Sequence, residues 1–282
     1  MSALNLPSSL VSVSWLAEHF DAPQLIVLDA SWFMPGTECN AFTEWQHKRI
    51  PGARFFDFDQ KIAAPNSPFP HMLPSTALFE IEVGKLGISN NHVIVIYDTQ
   101  GIFSAPRVWW MFRAMGHKAV AVLDGGLPAW EAAAFEVVQD EPEDVEPTPY
   151  VAQLDAGWVI DAETLHQRLN AEDVQVFDAR PAARFYGTQP EPRDGIRSGH
   201  MPNAKSLPFS QLLDNGHYLP VSQLQKRFDA LSYPDQQHIF SCGSGVTACI
   251  LALAAELAGR QKLTVYDGSW TEWGSTIKYP VV

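Results

Sequence analysis

Residues 238–257 read HIFSCGSGVTACILALAAEL. The apolar pair Ile239 and Phe240 closes a short strand, and Val246, Ile250, Leu253 and Leu257 then recur at helical spacing. Cys242 therefore stands where a buried strand gives way to a helix. Gly243, Ser244 and Gly245 fill the turn, and glycines let successive amide N–H groups curl onto one atom while the helix adds its positive N-terminal end. A thiolate is the species such a cradle favours, which makes Cys242 a nucleophile candidate. Free cysteines more often pack as small hydrophobes. Cys249, two turns into the apolar helix, is read that way, and Cys39, in the polar stretch PGTECNAF, has no recognisable partner.

The design occurs twice. VLDA at 27–30 answers VFDAR at 176–180, IPGARFF at 50–56 answers MPNAKSLPF at 201–209, HVIVIYD at 92–98 answers HIFSC at 238–242, and VLDGGLPAW at 122–130 answers VYDGSWTEW at 265–273. The matches keep their order at separations of roughly 145 residues, the mark of an internal repeat. Between the copies, QDEPEDVEPTPY at 139–150 is rich in proline and acid and reads as a linker. The expected organisation is a domain over 1–138, a linker over 139–156 and a domain over 157–282. Helical stretches alternate with apolar runs in each half (VSWLAEHF then QLIVLDA, ETLHQRL then DVQVFDA). This predicts an α/β fold of two similar domains, each a mainly parallel sheet flanked by helices, with ligands at the carboxyl ends of the strands. The repeat sets Asp98 opposite Cys242 and Gly101 opposite Gly245. A carboxylate is no sulfur nucleophile, so the chemistry is expected in the second half.

The 282 residues, 46% of them apolar, suit a globular protein of two ordinary domains. A formal charge of -13, from 19 basic and 32 acidic residues, argues against nucleic acid or an anionic membrane surface as partner. No apolar run is long enough to span a bilayer, and MSALNLPSSLVSVSW lacks the pattern of a secretory signal, so a cytoplasmic location is expected. Three cysteines make no disulfide framework. No histidine pair has metal-ligand spacing with a carboxylate or cysteine, so neither a metal nor another cofactor is expected.

The two-fold arrangement, the strand-Cys-loop-helix segment, the DGG and DGS motifs followed by tryptophan, and ARFYGTQPEPRDGIRSGHMPNA at 183–204 resemble tandem-domain sulfurtransferases of the rhodanese superfamily. The likeness covers nearly the whole chain and implies two rhodanese-like domains, the second catalytic. Within the superfamily the loop CGSGVTAC is similar to the branch that uses 3-mercaptopyruvate, whereas thiosulfate-using relatives carry basic residues directly after the cysteine. The difference has a physical reading, since thiosulfate is a compact dianion and Gly243 and Ser244 offer it no cation. The resemblance implies attack of the Cys242 thiolate on the donor sulfur, release of pyruvate, and transfer of the outer sulfur of a persulfide to cyanide, a small thiol or thioredoxin. It also implies that Gly243, Gly245, Val246 and Thr247 line the anion-binding loop and that Arg184 and Arg193 hold the substrate carboxylate, as paired guanidinium N–H groups do. Ser244, His71 and an aspartate of FFDFDQ match its proton relay, with Asp59 the better match and Asp57 the alternative. Arg197 has no assigned role, and His47 and His200 are read as structural.

Three rival readings differ from this one in testable features. A cysteine phosphatase loop needs an arginine where this chain has Ala248. A thiosulfate:cyanide sulfurtransferase would share fold and nucleophile and differ only in donor preference. A non-catalytic rhodanese-like binding module would be expected to lose the cysteine, which the first half has done and the second has not.

Overall fold

The computed structural model describes residues 4–140 and 144–282, and the chain divides into two compact units. Among these residues the first unit runs to Ala64 and takes in Leu73–Leu154 and Asn215–Tyr218; the second takes in Pro65–Met72, Asp155–Asp214 and Leu219–Val282.

Each unit is built on one five-stranded parallel sheet. In the first, the order from one edge is Leu10–Val11, Val120–Leu123, Val93–Tyr97, Leu25–Asp29 and Arg54–Phe55. The second repeats it with Val159–Ile160, Leu263–Tyr266, Gln237–Ser241, Val174–Asp178 and Lys205–Ser206. The central strands, VIVIY and QHIFS, are nearly or wholly buried, as expected of strands covered on both faces by helices. The equivalence reaches single hydrogen bonds. Ala30 N–H donates to Tyr97 O at 2.9 Å and Ala179 N–H to Ser241 O at 2.8 Å, while Ser31 and Arg180 each donate a backbone N–H to the aspartate two residues before.

In both sheets the chain steps outward in opposite directions from the central strand and its Asp-ending neighbour. The carboxyl ends of these two strands are the topological switch point, where open α/β sheets take their ligands. In the second unit Ser241 pairs in register with Asp178, so the next residue, Cys242, emerges at that crevice.

The helix after Cys242 runs Ala248–Leu257, and Ala248 to Ala255 are all buried. It begins two residues later than the apolar spacing suggests. Gly245 takes the left-handed φ of 83°, and Val246 and Thr247 form a turn that curves the chain around the cysteine before the helix starts.

Part of the segment expected as a linker lies along the first unit. Residues 141–143 lie outside the described residues, but the chain beyond them follows the first unit: Thr148 N–H donates to Gly84 O at 3.0 Å, and Tyr150, 5% exposed, packs edge-on to Phe79 and stacks on His117. Val151, Ala152 and Gln153 continue the attachment, donating their N–H groups to Asn90 Oδ1, Glu80 Oε1 and Met115 O.

Asp29, at the end of its strand in the first unit, is fully buried, and burial pushes its carboxyl up to about 6. A carboxyl raised in the folded state contributes stability that is complete below its unfolded pKa and is lost as pH climbs through the folded value. Asp29→Asn is therefore expected to be neutral near pH 4 and to stabilise the protein by about 2–3 kcal/mol at pH 7. Urea unfolding of both proteins at the two pH values checks this; a benefit that does not grow with pH would refute it.

Candidate active site

Cys242 is 2% exposed, and its Sγ accepts the N–H of Gly245 at 3.2 Å. Its own peptide groups are gripped by the segment after the last strand. Cys242 N–H donates to Ser269 Oγ at 3.1 Å, Trp270 N–H to Cys242 O at 2.9 Å, and Thr271 N–H and Oγ1 to Gly243 O at 2.8 and 2.7 Å. Ser269 holds an unusual φ of 49° and donates its hydroxyl to Tyr266 O at 2.9 Å. A non-glycine residue in that region persists only when its surroundings over-determine it, and here both ends of its hydroxyl are engaged. Cys249 is fully buried in the helix, with Sγ donating to Gly245 O at 3.2 Å, so it packs as core and also steadies the left-handed glycine.

Two of the expected arginines come to this loop. A Cβ on Gly243 would stand 3.3 Å from Arg184 Nη2, so the absence of a side chain there lets the guanidinium lie against the loop. Arg193 Nη1 donates to Thr271 Oγ1 at 3.4 Å, the hydroxyl that itself donates to Gly243 O. Arg184 is also paired with Glu191, Nε to Oε1 at 3.2 Å and Nη2 to Oε2. Glu191 Oε1 further accepts Arg180 Nη1 at 2.8 Å; Arg180 in turn is bonded to both oxygens of Asp178 and to Gly199 O, and lies 4.1 Å over the ring of Trp270.

Ser244 and Val246 are buried within the loop, and Thr247 immediately precedes the helix. His71 is buried, takes a φ of 61°, and belongs to the same compact unit as Cys242 through the segment Pro65–Met72. Asp59 belongs to the first unit, where its Oδ2 accepts Gln60 Nε2 at 2.8 Å. Asp57 uses Oδ1 to accept the backbone N–H groups of Asp59 and Gln60 at 3.2 and 2.8 Å, the work of a turn-capping residue. Arg197 donates to four carbonyls, those of Trp273, Gly274, Thr276 and Tyr279, and so ties down the C-terminal segment. Among the described residues no group of three or more His, Cys, Asp or Glu side chains could hold a metal ion.

The corresponding loop of the first unit encloses a carboxylate. Asp98 Oδ1 accepts the N–H of Gln100, and Oδ2 those of Phe103, Ser104 and Ala105, all at 2.9 Å. Burial pushes this carboxyl up while the four amides pull it down. Gly101, at φ 99°, turns the loop as Gly245 does. The loop design thus survives in the first unit, closed around a group of its own.

A family model for the Rhodanese-like domain matches the chain twice, over residues 12–133 and 161–276. This chain belongs to the rhodanese family of tandem-domain sulfurtransferases. Among rhodanese-family relatives, the 3-mercaptopyruvate sulfurtransferase of Rattus norvegicus is 43% identical, with 97% of this chain and 94% of the relative covered. Thiosulfate/3-mercaptopyruvate sulfurtransferase 1, mitochondrial, of Arabidopsis thaliana is 40% identical over 99% of this chain and 79% of its own length. The crystal structure of SseA from Escherichia coli, described with the 3-mercaptopyruvate sulfotransferases, superposes with a TM-score of 0.85 at 33% identity, covering 93% of this chain and 99% of that one.

Sequence reasoning missed Arg180, Glu191, Ser269 and Thr271. VFDAR contains Arg180, PEPRDG contains Glu191 and DGSWTEW contains both Ser269 and Thr271; these motifs are visible as repeat or family signatures, but their use depends on contacts between segments far apart in the chain.

Proposed function

We propose that this rhodanese-family chain takes sulfur from 3-mercaptopyruvate on Cys242 and hands it to a thiophilic acceptor: cyanide, a small thiol or thioredoxin. The observation that carries the reading is the convergence on one loop of a buried thiol, an amide aimed at its sulfur, and the two arginines 184 and 193. The Cys242 thiolate attacks the donor sulfur; the new S–S bond forms as the C–S bond breaks, and the electron pair leaves on carbon as the enolate of pyruvate. A proton, supplied in balance by the donor thiol, ends on that carbon, giving pyruvate and a Cys242 persulfide. Attack of the acceptor on the outer sulfur restores the thiolate.

Arg184 and Arg193 orient the donor carboxylate, and the loop of Gly243, Gly245, Val246 and Thr247 stabilises charge on sulfur as an oxyanion hole does on oxygen. Ser244 and His71 move the proton, and the resemblance adds Asp59 as the carboxylate of this relay. A reducing compartment such as the cytoplasm suits a thiol that must stay free. The rival donor is thiosulfate, which the name of the Arabidopsis relative also carries. Gly243 and Ser244 add no cation for its second charge, and this favours mercaptopyruvate.

Intact mass spectrometry tests the reading. Folded protein incubated with 3-mercaptopyruvate is expected to gain one sulfur, lost again on addition of cyanide, and to gain it more slowly with thiosulfate. Folded protein that stays unloaded with both donors would end the proposal.

A further inference from the structure

Glu191 is the acidic side chain bonded to Arg184, and at 3% exposure it is buried against it. The geometry is a fork, with Arg184 Nε and Nη2 on separate carboxylate oxygens, the arrangement that holds a guanidinium most rigidly. The same carboxylate binds Arg180, which is itself paired with Asp178. In this linked set two guanidinium charges are cancelled by two carboxylates. Arg193 is different: among the described residues no ion pair joins it to a carboxylate, and it reaches the loop through the hydroxyl of Thr271. The cationic set around the nucleophile therefore offers one uncompensated charge although three arginines stand in it. One such charge matches a donor with a single carboxylate. A compact dianion gains twice as much from each added positive charge, so the balance between the two donors depends on how many cations are left unneutralised.

We propose that Glu191 is a specificity-determining residue: it neutralises Arg184, and so keeps the charge beside Cys242 suited to a monoanionic donor, while fixing the guanidinium against Gly243. The proposal rests on Cys242 as the sulfur-accepting nucleophile and concerns which donor reaches it. Glu191 acts through Arg184 and is a positioning residue, not one that touches the reacting atoms.

The test is the ratio of kcat/KM for thiosulfate to that for 3-mercaptopyruvate. Glu191→Gln keeps the shape and removes the charge; the ratio is expected to rise about tenfold over the wild type. Glu191→Asp keeps the charge and shortens the reach; its rates are expected to fall with the ratio held within about twofold. Should the glutamine variant not fold, Glu191→Met, similar in volume and uncharged, carries the same expectation. A merely structural role lowers both donors together, so an unchanged ratio in the folded uncharged variant overturns the proposal. If neither donor loads the wild type, the proposed function fails separately, and the charge role is then read from alkylation of Cys242. The rate with anionic iodoacetate relative to neutral iodoacetamide is expected to rise about threefold or more in Glu191→Gln, and no rise overturns it.

Discussion

Cys242→Ser is expected to eliminate sulfur loading, with kcat/KM reduced by at least about 10⁴-fold, because an alcohol at this site is neither ionised nor a competent sulfur nucleophile. The fold should survive, since the serine hydroxyl occupies less volume in a loop whose backbone is gripped from Ser269 to Thr271, and its oxygen still accepts the Gly245 N–H. Cys249→Ser supplies the comparison. Its hydroxyl can replace the thiol as donor to Gly245 O, so activity within about threefold of the wild type is expected. Intact mass after donor treatment, with thermal unfolding of each variant, decides the matter. Sulfur retained by folded Cys242→Ser, or lost by folded Cys249→Ser, would move the chemistry away from residue 242.

The second large effect is expected from replacing Gly243 and Ser244 together with Arg and Lys. Gly243 lies outside the left-handed region, so a side chain there brings no backbone strain. Its Cβ would stand 3.3 Å from Arg184 Nη2, which sets the new guanidinium beside an existing one and concentrates positive charge at the loop. A unit charge about 5 Å from a bound anion is worth up to about 3 kcal/mol at an effective dielectric near 20, and screening by water and salt reduces this to about 1–2 kcal/mol. The dianion collects it twice. The preference for thiosulfate over 3-mercaptopyruvate should therefore rise by about ten- to a hundredfold, in the same direction as removal of the Glu191 charge. Equal preference in the wild type and the loaded double variant would show that charge at the loop does not set donor choice.

Much of the architecture was legible in local signals. The Val93–Tyr97 strand and the Ala248–Leu257 helix are apolar almost throughout, Ile239 and Phe240 mark the Gln237–Ser241 strand, and the duplicated motifs recur in one order, so the two α/β units and the position of Cys242 at a strand end follow from short stretches read on their own. The same locality explains the loop, where Gly245 is needed for its left-handed φ of 83°. Other features have no local signal. The packing of residues 144–154 on the first unit has no signal in their composition: Tyr150 is buried there, and the N–H groups of Thr148, Val151, Ala152 and Gln153 donate to Gly84, Asn90, Glu80 and Met115, all distant along the chain. Asp57 and Asp59 are two residues apart and chemically identical, and only the turn geometry shows Asp57 engaged as a cap.

The place of the nucleophile was decided by residues adjacent in the chain, since a strand, a glycine turn and a helix form through near-neighbour geometry. The charge around it was decided by folding. Arg184 and Glu191 are seven positions apart, but Gly243 lies more than fifty residues beyond both, and Thr271, the partner of Arg193, lies further still. Ion pairs and hydrogen bonds act over a few ångströms of space whatever the separation along the chain, so whether an arginine is free to meet a substrate or already neutralised is a property of the packed molecule alone.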